Sequence, residues 1–400
     1  MNILYLCIVF LAIVLLLFLR RPLYQAILGG VLVLVILYRM PVPDLAACAA
    51  RVFTDWGSCS VLVSLYLITF LQCMLEARSQ IRAASDDLNG LFHNRRVNAT
   101  IAPLFIGLLP SAGAMILCGD LVRDASDGYL DPAEQAFVTS WFRHIPESTL
   151  PTYAAVLLMT SLSGVPLGTF ILGMILPTAV LAVLGYYPIL RKLPRDPGTP
   201  RSENRLKDLL HLLGHLWTLI AIIVLILVCH LGVVPAIAIV LILAVPVYRF
   251  RPAELLPMFR EAFEVKLLLS TFLVHLLKEC IGRTGVLEEI PTALQGLPIP
   301  MFLIFSLMFL LGGMISGSTG IIAMGTPLAF AAIPGGMPPA VLLMCMGHAA
   351  SQLAPTHVCL IIAAEYFDIS LGALIRKTIP RALLFCVLMI AYYELLLVVV

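Results

Sequence analysis

Charge is what this 400-residue chain has least of. Only 12% of its residues are Asp, Glu, Lys or Arg, against 61% hydrophobic, a balance that excludes an ordinary soluble domain. Its ten cysteines are scattered singly, without a CxxC or a local Cys/His cluster. Neither a disulfide framework nor a zinc site of the usual spacing is therefore expected. No Walker A sequence is present, so the chain carries no ATP-driven motor of its own. The absence of HExxH and GxSxG removes the usual local signatures of a membrane protease or hydrolase. The first apolar run, 3–19, lacks a basic n-region and a small-residue cleavage site, and Arg20-Arg21 follows at once. It reads as a retained span rather than a signal peptide.

What is present is apolar sequence in lengths near the ~20 residues that cross a bilayer. It does not alternate with polar residues as barrel strands would, and in hydrocarbon only helices and closed barrels satisfy their own backbone. The fold class expected is an all-α polytopic membrane protein. Ten spans are readable, at 3–19, 23–38, 58–75, 148–163, 166–187, 212–230, 233–248, 265–281, 348–364 and 381–399. Two further apolar stretches, about 99–119 and 300–335, are interrupted by glycine and proline. Each is expected to be a re-entrant hairpin. With both termini on the outer side, all but four of the 25 cations fall in cytoplasmic segments. The four are Arg39, Arg51, Lys278 and Arg283, as the positive-inside rule requires.

The halves resemble each other. His144, Pro151 and Thr152 recur as His348, Pro355 and Thr356, 204 positions on, and Leu167-Gly168 recurs as Leu371-Gly372 in the same register. Residues 1–190 and 211–400 are expected to be two five-helix repeats joined by a cytoplasmic linker at 191–210. An odd number of spans per repeat inverts the second, the architecture of secondary transporters. Each repeat also carries a broken helix, about 132–163 and 338–364. Asp131-Pro132 is a good helix start, while Pro146, Pro151 and Pro355 interrupt the ladder.

Two constellations carry candidate chemistry. The hairpin tips offer Ser111 and Gly113 in one half, and Ser316, Ser318 and Thr319 in "GGMISGSTGIIAMGTP" in the other. Backbone reversing at membrane depth needs protein or a watery cavity beside it, and hydroxyls there can bind a solute or ion. Close helix packing explains such small residues equally well. At the broken helices, Thr152 and Thr356 would line unwound backbone facing the tips. His144, His357 and Glu147 are the ionisable groups nearby. A histidine there serves as proton relay, substrate donor or satisfied core residue; the competing reading has Arg143 and His144 snorkel at the cytoplasmic interface.

The stretches "RDASDGYLDPAEQAFVTSWFRHIPESTLPTY" and "SQLAPTHVCLIIAAEYF" resemble a prokaryotic integral membrane family known as a domain of unknown function. That family is grouped with the ion transporter superfamily, beside gluconate, citrate and divalent-anion/sodium permeases. The resemblance covers nearly the whole chain. It implies a scaffold part and a transport part, hairpins meeting near the centre, elevator-like movement and a homodimer. Sodium-coupled relatives carry Ser-Asn-Thr at the tips; here the positions hold Ser111-Ala112-Gly113 and Ser316-Gly317-Ser318-Thr319. The expected function is secondary active transport of a small solute, an organic anion, coupled to sodium or protons in the cell (inner) membrane. The sodium site would lie at Ser111, Ser316, Ser318 and Thr319. No enzyme, cofactor or nucleic-acid partner is expected. The alternatives are a membrane enzyme using His and Glu as acid and base, or a non-transporting scaffold.

Overall fold

A computed structural model describes residues 2–19, 21–80, 83, 94–107, 114–187, 189–196, 205–289 and 298–399. Every regular element among them is helical. The first half holds α1 (Asn2–Phe18), α2 (Leu23–Leu37), α3 (Val42–Thr54), α4 (Trp56–Ala77), α5 (Arg95–Ile106), α6 (Ala114–Ser126), α7 (Pro132–His144), α8 (Ala154–Ser163), α9 (Leu167–Gly173) and α10 (Ile175–Tyr186). The second holds α11 (Arg205–Leu227), α12 (Val233–Val247), α13 (Pro252–Glu261), α14 (Val265–Thr284), α15 (Met301–Ala332), α16 (Met337–Leu353), α17 (Val358–Tyr366) and α18 (Leu371–Val399). Five helical segments are long and apolar enough to cross a membrane. Leu11, Phe18, Ile36, Ile242 and Val387 stand on the outside, where only hydrocarbon relieves so much apolar surface. The chain is an all-helical membrane protein.

One of the five, α15, is not a straight rod. Gly317 lies inside it at φ 74° and ψ 165°, a conformation that a β-carbon disfavours. A β-carbon built on Gly325 would lie 2.5 Å from Phe309 Cε2, and one on Gly312 2.6 Å from Ile321 Cδ1. In a continuous helix Phe309 and Gly325 would stand about 24 Å apart. The contact requires two antiparallel arms that reverse at Gly317, so α15 is a helical hairpin. In the first half, α5 packs on α6, with Cys118 Sγ 4.0 Å from the Pro103 carbonyl. These arms extend the expected 99–119 at both ends. Hydropathy stops at the first charges, whereas the helices continue through Arg95, Arg96, Asp120, Arg123 and Asp124.

Other boundaries moved for similar reasons. The helix after the first break starts at Ala154, not at 148 as the span 148–163 had it, because a 3-10 turn at Ile145–Ser148 and then Pro151 keep the chain out of the α-ladder. The last helix begins at Leu371, not 381, and contains Pro380; Arg376, Lys377 and Arg381 masked its first turns. The linker's final residues, from Arg205, already belong to α11. Two amphipathic helices went unread. They are α3 and α13, each placed between the second and third spans of its half.

The likeness between the halves includes further positions. Tyr38 and Tyr248 close α2 and α12, and Arg39 and Arg249 follow with φ of 50° and 53°. Asp44-Leu45 and Glu254-Leu255 then recur at the same 210-residue offset. Packing is exchanged between halves in the same way. Helix α2 packs on α14 and α12 on α4; α8 packs on α15 and α17 on α6; α9 packs on α16 and α18 on α7. Each pair joins corresponding elements with the halves swapped, the pattern that a two-fold relation produces.

Arg78, just past α4, ties that helix to α13. Its guanidinium lies 3.1 Å from Glu254 Oε2, and its Nε donates to the Tyr248 carbonyl at 3.1 Å. Hydrogen bonds from Arg78 hold the Glu254 carboxyl below the usual carboxylate range. A depressed folded value gives stability that is present above the unfolded pKa of about 4.3 and lost as pH falls through the folded one. Glu254→Gln should therefore melt below wild type at pH 7, with the gap closing as pH drops under about 4. Melting curves of purified protein across pH check this, and a pH-independent gap refutes it.

Candidate functional site

The two broken helices meet at their breaks. Helix α7 starts where Asp131 accepts from the Glu134 N–H at 2.8 Å, and Pro132 supplies the preset φ of a first turn. Its Trp141 is buried and donates from Nε1 to the Leu181 carbonyl at 2.8 Å. The helix ends at His144, which has no exposed surface, and Arg143 beside it is 2% exposed. Both therefore sit inside the protein, and neither snorkels. Arg143 forms an ion pair with Glu147 in the 3-10 turn. The second copy, α16, begins with Pro338 and Pro339 and is buried from Pro338 through Leu353. After the break at Ala354–His357, α17 begins. The imidazoles of His144 and His357 touch edge to face, with centroids 4.8 Å apart.

A cavity of about 820 Å³ opens at this crossing. One wall is the tip of α15, with Ser316, Gly317, Ser318 and Thr319. Glu147 and Thr152 of the first break and Thr356 and His357 of the second complete that side. Facing them are Thr69 and Gln72 of α4, Glu264 at the start of α14, and Arg21 between α1 and α2. His144 lies behind His357 and does not line the cavity. Ser111 and Gly113 fall outside the described residues. Ser316 Oγ donates within the tip, 2.9 Å from the Gly312 carbonyl and 3.2 Å from that of Gly317. Thr152 Oγ1 is buried with no hydrogen-bond partner among the described residues.

Three helix beginnings face the same space. Helix α8 follows Tyr153, α17 follows His357, and the second arm of α15 follows Gly317, and all three preceding residues line the cavity. Neither Tyr153 nor His357 caps its helix with a side chain. First-turn N–H groups left without a cap carry the positive end of the helix dipole, a setting that favours an anion. The C-terminal ends of α7 and α16 bring carbonyls to the same breaks, and carbonyls suit a cation.

Several residues of the site had gone unread. The Tyr153 hydroxyl donates to the Gly107 carbonyl, so the first hairpin is fastened to the first break although its tip lies outside the described residues. Tyr153 is adjacent to Thr152, a signal within reach of the sequence. Arg21, Thr69, Gln72 and Glu264 carried no such signal, because hydropathy marks a span without saying which face meets a cavity. Cys359 joins His144 and His357 in a cluster whose ligating atoms lie within 4.8 Å of one another. No local spacing could bring positions 144 and 359 together.

No curated protein matches the sequence. Among solved structures, the YdaH transporter of Alcanivorax borkumensis, described as having an unusual topology, aligns with a TM-score of 0.48 and 12% identity. The alignment covers 87% of this chain and 86% of that one. A family model reaches further, matching from residue 3 to residue 399, and it places the chain in the family described as protein of unknown function, DUF401.

Proposed function

We propose that the protein is a secondary transporter of a small anionic solute, with its site in the cavity where the α15 tip meets both helix breaks. That convergence carries the reading. A hydroxyl-bearing tip and two unwound segments, distant in sequence, line one space together with three helix beginnings. Uncapped N–H groups and tip hydroxyls would hold the anion, here an organic carboxylate. Carbonyls freed at the ends of α7 and α16 would hold sodium, or Glu147 and His357 would carry a proton. The exchanged packing of the halves supports an inverted repeat of about ten spanning units, with α5–α6 and α15 as re-entrant hairpins entering from opposite faces. In that topology both termini face outward from the cell membrane. Arg21 and Glu264 then mark the cavity's cytoplasmic mouth.

Transport would move the hairpins and broken helices against the α4 and α14 wall, in an elevator-type cycle within a homodimer of the ion transporter superfamily. The test is uptake into proteoliposomes of a panel of small carboxylates, with sodium or proton gradients imposed and then collapsed. A substitution of Ser111, Ser316, Ser318 and Thr319 to alanine removes hydroxyl contacts worth ~0.5–1.5 kcal/mol each. Apparent affinity should fall at least ~tenfold. Undiminished uptake by that variant would remove the tips from the site, and uptake indifferent to both gradients would remove the coupling.

A further inference from the structure

The crossing of the breaks also gathers side chains of a second chemistry, two of which, Glu147 and His357, line the cavity as well. His144 Nε2 is fully buried and has no hydrogen-bond partner among the described residues. Its other ring nitrogen, Nδ1, sits against the Ser140 carbonyl, which places the N–H there and leaves the Nε2 lone pair directed away. A histidine held in this way, with one nitrogen fixed by a backbone carbonyl and the other free, is the usual posture of a metal ligand. His357 and Cys359 bring their ligating atoms to the same place, all within 4.8 Å of one another. The Glu147 carboxylate reaches in as well, with Oε1 3.9 Å from His144 Nε2.

We propose that His144, His357 and Cys359 form a binding site for a divalent transition-metal ion of the zinc class, with Glu147 as the fourth donor. Two imidazoles, one thiolate and one carboxylate suit zinc or cobalt in tetrahedral geometry, with bonds of ~2.0–2.3 Å. Donors on such an ion stand roughly 3.4–3.8 Å apart by that geometry, so His144, His357 and Cys359 close by about 1 Å on loading while Glu147 swings in from its place beside Arg143. Both breaks supply ligands, so the ion would pin the two halves together where neither has a helical ladder. Cys359 binds as thiolate and gives its proton to solvent, one per ion. Arg143 is the cation beside the group; its ion pair with Glu147 must slacken as that carboxylate turns to the metal. The site stands on this cluster alone and does not depend on the transport reading.

The test uses the full-length protein, purified in detergent and stripped with chelator. Co²⁺ should bind one per chain and show a near-ultraviolet thiolate charge-transfer band. Cys359→Ser should lose that band, and His144→Ala and His357→Ala should weaken binding at least ~tenfold. His230→Gln, an exposed histidine elsewhere, should bind as wild type does. Should a variant fail to fold, wild-type protein still decides the matter. Zn²⁺ should protect Cys359 from alkylation, read peptide by peptide in a mass spectrometer, and chelator should restore labelling. Absence of the cobalt band in wild type, alkylation of Cys359 unaffected by Zn²⁺, or equal binding by the ligand variants overturns the site.

Discussion

Gly107→Ala should yield a protein that is made but melts well below wild type and loses any transport. The reason is space rather than conformation. A β-carbon at this position would sit inside the contact radius of the Arg143 carbonyl oxygen and 2.9 Å from its carbonyl carbon. Both atoms are backbone, so no rotamer change can relieve the overlap. Overpacking of a well-packed interior costs ~1–3 kcal/mol and more when the neighbour cannot yield. The displaced atoms are at the end of α7, next to His144 and the break, so function should fail before the fold does. Gly214→Ala is the matched control. Nothing lies within 4 Å of its β-carbon position and it is inside α11, where alanine is favoured over glycine by ~1 kcal/mol. Thermal melts of the two variants side by side check the assignment. Equal melting temperatures would mean that α5 does not abut the break.

The second large effect is expected at Arg143 and Glu147. Arg143 is 2% exposed and Glu147 20%, so the pair lies at the inner edge of the cavity. Removing one partner of a buried pair costs roughly 3–5 kcal/mol, because a charge is left where solvation is poor. Glu147→Leu and Arg143→Met should each lower the melting temperature sharply. Replacing both, with Arg143→Met and Glu147→Leu together, should cost less than the sum of the two losses, since no charge is then stranded. A double-mutant cycle on melting temperature reads this directly. Strictly additive losses would show that the two side chains act independently.

Much of the frame was legible in the sequence, and the reason is that hydrocarbon imposes simple rules. Apolar length pointed to membrane-crossing helices, of which five among the described residues are long enough. Glycines at 312–325 marked the reversal at Gly317, and Pro146, Pro151 and Pro355 lie where α7 and α16 stop. The recurrence of His144 and Thr152 as His348 and Thr356 located the two breaks that meet. Less visible were elements whose polar residues share a helix with apolar ones. Helix α3 buries only Cys48 and Val52 and α13 no residue fully, so no long apolar run announces them, and α18 starts ten residues before its hydropathy does. The wall of Thr69, Gln72, Glu264 and Arg21 was beyond reach for another reason. Which face of a span meets a cavity is decided by partners far away in the chain. The same distance hid the approach of Cys359 to His144.

The exchanged packing of the halves bears on how the protein is made. Helix α7, with Arg143 and His144 near its end, packs on α5 and α6 of its own half and also on α17 and α18 of the other. The latter two are synthesised roughly 200 residues later, a delay on the order of ten to forty seconds at ordinary elongation rates. For that interval a short segment with a charge at its end has no complement from the other half, and a lipid environment penalises it. The first half therefore behaves as a debtor to the second: it can be inserted in order, but its centre closes only when the C-terminal helices arrive.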